Sequence, residues 1–310
     1  GGYTWNQNSS QNKLTIWAND PVLDPPSEIL FLHERQTGAL WSSTPMPVRQ
    51  TNPYIIRHGF GYTVYSQRSH GLEQEMTQFT ALEAPIKIII LQLKNISNRE
   101  MELDAAYYLK PVLGSEAAQT APYIVTSYDS DLSALLIDNV YSSDFRDLTA
   151  FLSCSDSKIT YSGHRLEFIG ENMDISQPEG MKCTLKGTVG AGLDSCAVIK
   201  TLLQIKPGET KDLVFLFGQD RREKLKELIS KFNSVGQALE EFERVKESWK
   251  NRLKRIQVNT PDKTMNILLN GWLQYQVLSC RVWARTGYYQ AGGAFGFRDQ
   301  LQDVMGVVYS

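Results

Sequence analysis

Short apolar runs, many alternating with polar residues and rich in β-branched and aromatic side chains, recur from residue 1 to about residue 218. Turn-forming residues separate these runs, as expected for β-strands. The predicted strands are 54–65, 86–93, 103–113, 123–127, 132–137, 165–169, 197–205 and 212–217. So many strands with no helical pattern between them predict a large antiparallel sandwich.

The pattern becomes helical after residue 218. Asp220 is the predicted N-cap of a first helix, and Ser234, with a glutamine three positions later, forms the capping box of a second. A third helix is predicted with Thr260 as its cap and Pro261 at its first position. Apolar residues lie on more than one side of this third helix, which indicates burial among other helices. The predicted division is a β domain at 1–218, a helical linker at 219–257 and the first helices of another domain at 258–310.

Composition and charge exclude several classes of protein. The chain has 42% hydrophobic and 21% charged residues, which is typical of a soluble globular protein. A net charge of −2 argues against an electrostatic binder of nucleic acid or anionic membranes. The longest apolar run, 86–93, is too short to cross a bilayer, so no direct membrane insertion is expected.

Targeting and metal-binding patterns are missing from the sequence. The N-terminal residues lack the basic and then apolar pattern of a secretion signal, so we expect a cytoplasmic protein. The 4 cysteines include no Cys-x-x-Cys pair, and the 4 histidines show no metal-ligand spacing. Reduced thiols and no structural metal are therefore expected.

Tryptophan and tyrosine lie among asparagine and aspartate in the first fifty residues. Aromatic faces flanked by amides and carboxylates suit sugars, which makes Trp17 a candidate binding residue. The alternative, favoured by composition alone, is that these tryptophans pack the edge of the sandwich while the polar residues form turns. The lone His58 is interpreted as a hydrogen-bonded core residue rather than a catalyst.

The segment 292–304 combines small residues, aromatics, one arginine and two aspartates. Arg298 can make two parallel hydrogen bonds to a carboxylate or phosphate, or bridge sugar hydroxyls. Asp299 and Asp303 are four positions apart and share one helical face. The segment therefore predicts a pocket for a polar ligand. The alternative is an ion pair between Arg298 and Asp303 that only orders the start of a helix.

Five motifs, in this order, resemble the glycoside phosphorylases of glycoside hydrolase family 94. They are GYTW at 2–5, WANDP at 17–21, RHGFGY at 57–62, NGWL at 270–273 and GFRDQLQD at 296–303. Within the family, the resemblance is greatest to the phosphorylase-type domain of cyclic β-1,2-glucan synthases and to 1,2-β-oligoglucan phosphorylases. It implies an N-terminal antiparallel β-supersandwich, a helical linker and the start of an (α/α)6 barrel, in a homodimer.

The resemblance also implies a reaction and a set of binding residues. The reaction is inverting phosphorolysis of β-glucan to α-glucose 1-phosphate, with inorganic phosphate as co-substrate and no cofactor. Arg298 and Asp299 would hydrogen-bond the glucosyl unit on the non-reducing side of the cleaved bond, and Gln302 and Asp303 would support them. The general acid of the family follows much later than this motif. We therefore expect it beyond Ser310, and predict no catalytic residue within the chain.

Two other functions remain open from the sequence. The chain could serve as a non-catalytic carbohydrate-binding or dimerisation module of a glucan synthase. An inverting glycoside hydrolase with the same two-domain plan is the other alternative, and it would need a second catalytic carboxylate to activate water.

Overall fold

A computed structural model describes residues 3–17, 22, 26–284 and 297–308. The strands are β1 (Lys13–Thr15), β2 (Glu28–Glu34), β3 (Ala39–Ser42), β4 (Ile55–Gly59), β5 (Tyr62–Ser69), β6 (Leu72–Thr80), β7 (Ile86–Asn95), β8 (Met101–Leu109), β9 (Pro111–Gly114), β10 (Ile124–Asp129), β11 (Ala134–Asn139), β12 (Leu148–Cys154), β13 (Ile159–His164), β14 (Ser195–Ile205) and β15 (Thr210–Arg221). The helices are α1 (Ala117–Thr120), α2 (Arg165–Ile169), α3 (Leu225–Phe232), α4 (Val235–Leu253), α5 (Lys263–Ile267), α6 (Leu273–Gln276) and α7 (Phe297–Met305).

Two large antiparallel sheets form the sandwich. The eight-stranded sheet has the order β10-β11-β12-β15-β7-β6-β5-β4, and the five-stranded sheet has the order β13-β14-β8-β2-β3. Their inner faces share one apolar core, in which the rings of Tyr107 and Phe215 stack across the two sheets at 5.6 Å. A small sheet of β1 and β9 lies beside them. The predicted antiparallel sandwich is therefore confirmed.

Helices α3 and α4 cover part of the outer face of the eight-stranded sheet. Ile88 and Val214 on that face pack with Leu228 of α3 and Trp249 of α4 in a second apolar core. Strand β7 is consequently buried on both faces, which explains why its sequence is a nearly continuous apolar run rather than an alternating one.

Some predicted strands differ from the structure. Residues 165–169 form the short helix α2, whose Phe168 packs on Tyr108 and Phe31 of the five-stranded sheet. A five-residue apolar run does not distinguish a buried helical turn from a strand, so this prediction was wrong. Residues 54–65 contain the hairpin of β4 and β5 rather than one strand.

The predicted helix starts are partly right. Ser234 caps α4, since its side chain accepts a hydrogen bond from the Gln237 N–H. Asp220 is not a cap, because it pairs with Thr149 in the β-ladder and α3 begins only at residue 225. The cap of α5 is also misplaced by two residues. Asp262, not Thr260, accepts hydrogen bonds from the first turn of that helix, so Pro261 lies outside it.

Helical backbone continues from α5 to residue 283. Leu268–Trp272 and Val277–Trp283 are π-helical segments that flank α6, and we call residues 263–283 the long helical segment. Among the described residues, no helix is both long enough and apolar enough to cross a membrane. All four cysteines are free, and burial raises the pKa of the Cys154 thiol to about 12.

The carboxyl group of Glu34 should make the free energy of unfolding depend on pH. Burial alone would raise the pKa of this carboxyl, but hydrogen bonds from Arg99 and Thr37 outweigh burial and lower the pKa from 4.5 to about 2. Between pH 4.5 and about 2, Glu34 is protonated in the unfolded chain but stays ionised in the folded chain. The free energy of unfolding therefore falls as the pH falls. In urea unfolding across this range, we expect Glu34→Gln to reduce stability at neutral pH and to flatten the acid slope. Glu171→Gln, at an exposed position, should leave both unchanged. Equal acid slopes for Glu34→Gln and the parent protein would contradict this assignment.

Candidate functional site

The tip of the β4–β5 hairpin contacts the long helical segment. The ring of Phe60 lies 5.4 Å from that of Tyr275 and 6.1 Å from that of Trp272. The hydroxyl of Tyr275 also accepts a hydrogen bond from the Gly61 N–H at 3.2 Å. Two of the motifs that carry the family resemblance, at 57–62 and 270–273, therefore meet in space.

Two glycines allow this close approach. A Cβ atom at Gly271 would lie 2.5 Å from Cζ of Phe60, and one at Gly61 would lie 2.7 Å from Cδ1 of Trp249. Gly61 also has a φ of +82°, a conformation that glycine adopts without steric cost. The sequence therefore needs glycine at both positions for the hairpin tip to fit.

Further aromatic contacts fix the long helical segment against α4. The ring of Trp249 lies 4.6 Å from that of Tyr275 and 5.2 Å from that of Trp283, and the guanidinium of Arg252 lies 5.4 Å from the Trp283 ring centre. The segment is therefore anchored to the sandwich through α4 as well as through the hairpin.

Helix α7 carries the predicted sugar-binding residues. Arg298 and Gln302 are exposed, and because they are four positions apart they share one face of the helix. Asp303 is half-buried. The side chain of Asp299 and residues 285–296, which include the preceding glycines, lie outside the described part of the structure.

Asp303 forms an ion pair with Arg281, at the end of the long helical segment. The Nε atom of Arg281 donates to Oδ2 of Asp303 at 2.5 Å. The alternative ion pair between Arg298 and Asp303 is therefore not what the structure shows. Within the described residues, Arg298 makes no hydrogen bond or ion pair, which leaves its donors available to a ligand. Sequence reasoning missed Arg281, because nothing in the local pattern links two positions 22 residues apart.

Trp17 lies at the edge of the sandwich. It is half-buried, its ring is 6.0 Å from that of Tyr3, and Nζ of Lys13 is 5.4 Å from its ring centre. This packing agrees with the structural alternative, and sugar binding by Trp17 stays a prediction. The same N-terminal segment reaches the helices, since the hydroxyl of Ser9 donates to the carbonyl of Ala284.

A buried polar network, which no sequence motif indicated, fixes the N-terminal segment to the sandwich. Glu28 accepts hydrogen bonds from Lys87 at 2.7 Å, from Tyr107 at 2.6 Å and from the hydroxyl of Thr4. Burial opposes ionisation of Glu28, but the charge of Lys87 and these hydrogen bonds outweigh it and lower the pKa of Glu28. The network holds Thr4, and with it the segment that contacts Ala284.

His58 is not a core residue, contrary to the sequence interpretation. It is exposed on β4, and its Nδ1 lies 3.1 Å from the hydroxyl of Thr63 on β5. An edge strand with a solvent-facing side can carry histidine without burying it, and sequence alone did not identify β4 as that edge.

A groove of about 530 Å³ lies on the exposed part of the eight-stranded sheet. Its lining includes the ion pairs Arg57–Glu75 and Arg68–Glu73, and none of the predicted binding residues. Because its charged groups are largely paired with one another, we interpret it as the solvated face of the sheet. No group of three or more histidine, cysteine, aspartate or glutamate residues in the described ranges could hold a metal ion.

The fold is a β-supersandwich followed by helices, with the long helical segment anchored to the sandwich and an exposed arginine on α7. Residues 1–235 match the family profile "Glycosyl hydrolase 94, supersandwich domain", and residues 248–310 match "Glycosyl hydrolase 94 superfamily, catalytic domain". The chain belongs to glycoside hydrolase family 94. The predicted family and the predicted supersandwich with part of a helical catalytic domain are thus confirmed.

Curated relatives extend this result. The chain is 31% identical to cyclic β-(1,2)-glucan synthase NdvB of Rhizobium meliloti (strain 1021), over 98% of the chain and 11% of that protein. It is 23% identical to N,N'-diacetylchitobiose phosphorylase of Vibrio furnissii, over 100% of the chain and 40% of that protein. It is 26% identical to solabiose phosphorylase of Paenibacillus borealis, over 89% of the chain and 36% of that protein. The chain therefore spans between 11% and 40% of the length of these relatives.

Proposed function

We propose that this chain is the sugar-binding N-terminal part of an inverting glycoside phosphorylase that cleaves β-1,2-linked glucan with inorganic phosphate. The observation that carries the proposal is the match to both family 94 domains in one chain. Two of the relatives are named as phosphorylases, and a third is named as a synthase of β-(1,2)-glucan. These names support the reaction and the linkage respectively.

In this proposal α7 binds the glucosyl unit whose bond is cleaved. Arg298 and Asp299 hydrogen-bond its hydroxyls, with Gln302 and Asp303 in support. Arg298 is suited to this role because it is exposed and makes no hydrogen bond or ion pair within the described part of the chain. These hydrogen bonds hold the anomeric carbon in line with the attacking phosphate. Such positioning lowers the activation free energy of the reaction.

The proposed chemical step needs one protein carboxylic acid. A phosphate oxygen forms a bond to the anomeric carbon while the glycosidic bond breaks, and the departing oxygen takes the proton of the acid. Phosphate attacks the face of the anomeric carbon opposite the departing oxygen. The configuration is therefore inverted, and a β-linked glucosyl unit gives α-glucose 1-phosphate. Because phosphate is already an anionic nucleophile, no second carboxylate is required to activate water. We place the general acid and the phosphate-binding residues beyond Ser310, outside this chain.

Product analysis tests the proposal. The full-length polypeptide that carries this chain is incubated with β-1,2-glucooligosaccharides, with and without phosphate, and the products are followed by NMR. We expect α-glucose 1-phosphate only when phosphate is present, and little turnover of β-1,4-linked oligosaccharides as a matched control. Glucose released without phosphate would instead indicate the hydrolase, and saturable oligosaccharide binding without any turnover would indicate the non-catalytic module.

The proposal includes a homodimer located in the cytoplasm. Light scattering coupled to size-exclusion chromatography should give twice the mass of the polypeptide. Cell fractionation should recover the protein with cytoplasmic markers, and recovery elsewhere would exclude that compartment.

A further inference from the structure

Three described apolar side chains of α7 are exposed. The side chains of Leu301 and Met305 are 52% and 66% exposed, and Val304 is also exposed. The Arg281–Asp303 ion pair joins α7 to the long helical segment. The pair therefore contributes to the orientation of α7 relative to that segment.

We propose that Arg281 is a positioning residue, which orients α7 and so aims Arg298 and Gln302 at the sugar. This inference rests on the proposed function. Arg281 is suited to the role because it lies between two well-anchored residues, Tyr275 and Trp283, in the final turns of the long helical segment. Its guanidinium has a fixed planar geometry, so the bond through Nε defines a direction as well as a distance.

The pair is shielded enough to act as a positioning contact. The side chains of Arg281 and Asp303 are 25% and 38% exposed, so solvent screens their charges less than those of a fully exposed pair. Asp303 directly follows Gln302 and lies five positions after Arg298, on a different side of the helix. It can therefore fix the helix to Arg281 while Arg298 stays free for the ligand.

Loss of the pair should affect sugar binding selectively. With α7 free to rotate, Arg298 and Gln302 would spend less time in the binding geometry, although the sandwich and the long helical segment would stay folded. Phosphate is bound by other residues in the proposed mechanism. The expected signature is a rise in the KM for the oligosaccharide without a rise in the KM for phosphate.

Kinetics of the full-length polypeptide test this inference. Arg281→Gln should raise the oligosaccharide KM by roughly 2- to 5-fold, the range expected for losing a partly exposed ion pair. The KM for phosphate and the melting temperature should not change. Arg281→Lys should bring the oligosaccharide KM part of the way back to the parent value. The double variant Arg281→Asp with Asp303→Arg, which exchanges the two charges, should do the same. Arg255→Gln is the matched control, because Arg255 is an exposed arginine that follows α4 and lies outside the contacts that anchor the long helical segment. It should leave both KM values unchanged.

Other results would overturn the inference. These are an unchanged oligosaccharide KM in Arg281→Gln, an equal rise in both KM values, or a loss that simply follows a lower melting temperature. If the parent protein performs no phosphorolysis, the proposed function fails, and hydrogen exchange of residues 297–308 then decides the inference. Faster exchange in Arg281→Gln that the charge exchange reverses would support positioning of α7. Identical exchange in all variants would exclude it.

Discussion

Replacing Arg298 with alanine is expected to lower kcat/KM for β-glucan phosphorolysis about 100-fold, because hydrogen bonds to a charged group contribute about 1.5–3 kcal/mol each. The melting temperature should not change, since Arg298 is exposed and bonds no other residue in the described part of the chain. Steady-state kinetics and thermal unfolding of the full-length polypeptide measure the two effects separately.

Arg255→Ala is the matched control for this result. Arg255 is also an exposed arginine, but it follows α4 rather than lying on α7. Its replacement should leave kcat/KM unchanged. Asp299→Ala should weaken turnover strongly, like Arg298→Ala, without unfolding the protein. Unchanged kinetics in either α7 variant would remove that residue from the sugar site.

Gly61→Ala is expected to reduce the free energy of unfolding by roughly 2–5 kcal/mol. Two costs add up to this figure. A non-glycine residue in the left-handed conformation costs about 1–2 kcal/mol, and inserting a methyl group into a packed site costs about 1–3 kcal/mol. Both apply at Gly61, where φ is +82° and the new Cβ would lie 2.7 Å from Cδ1 of Trp249. Urea unfolding measures the change.

Gly38→Ala separates the two costs. Gly38 has a φ of +71°, but nothing lies within 4 Å of an added Cβ. Its replacement should therefore cost only the backbone part, about 1–2 kcal/mol. If the two alanine variants lose the same stability, the contact between the hairpin tip and Trp249 does not constrain residue 61.

Sequence patterns predicted the sandwich well because strand burial leaves a local signature. The run 86–93 is apolar on both faces, and it became β7, a strand covered by the second sheet on one side and by helices on the other. The same signal failed at 165–169, where packing on Phe31 and Tyr108 favours one helical turn over an extended strand. Local periodicity carries no information about such a partner.

The candidate site was only partly predictable. Arg298 and Gln302 follow from a motif of adjacent residues, whereas the Arg281–Asp303 pair depends on how two helical segments fold against each other. The contact of Ser9 with Ala284 spans 275 positions along the chain. Contacts of this kind are set by tertiary packing, so no short pattern in the sequence reports them.

The fit of Phe60 against Gly271 limits how this protein can be recombined with its relatives. A chimaera that joins the sandwich of one protein to the helices of another would bring together a hairpin tip and a helix surface that were not selected as a pair. A side chain larger than hydrogen at position 271 would meet the Phe60 ring, since an added Cβ lies 2.5 Å from it. A chimaera should therefore take the β4–β5 hairpin and residues 263–283 from the same parent protein.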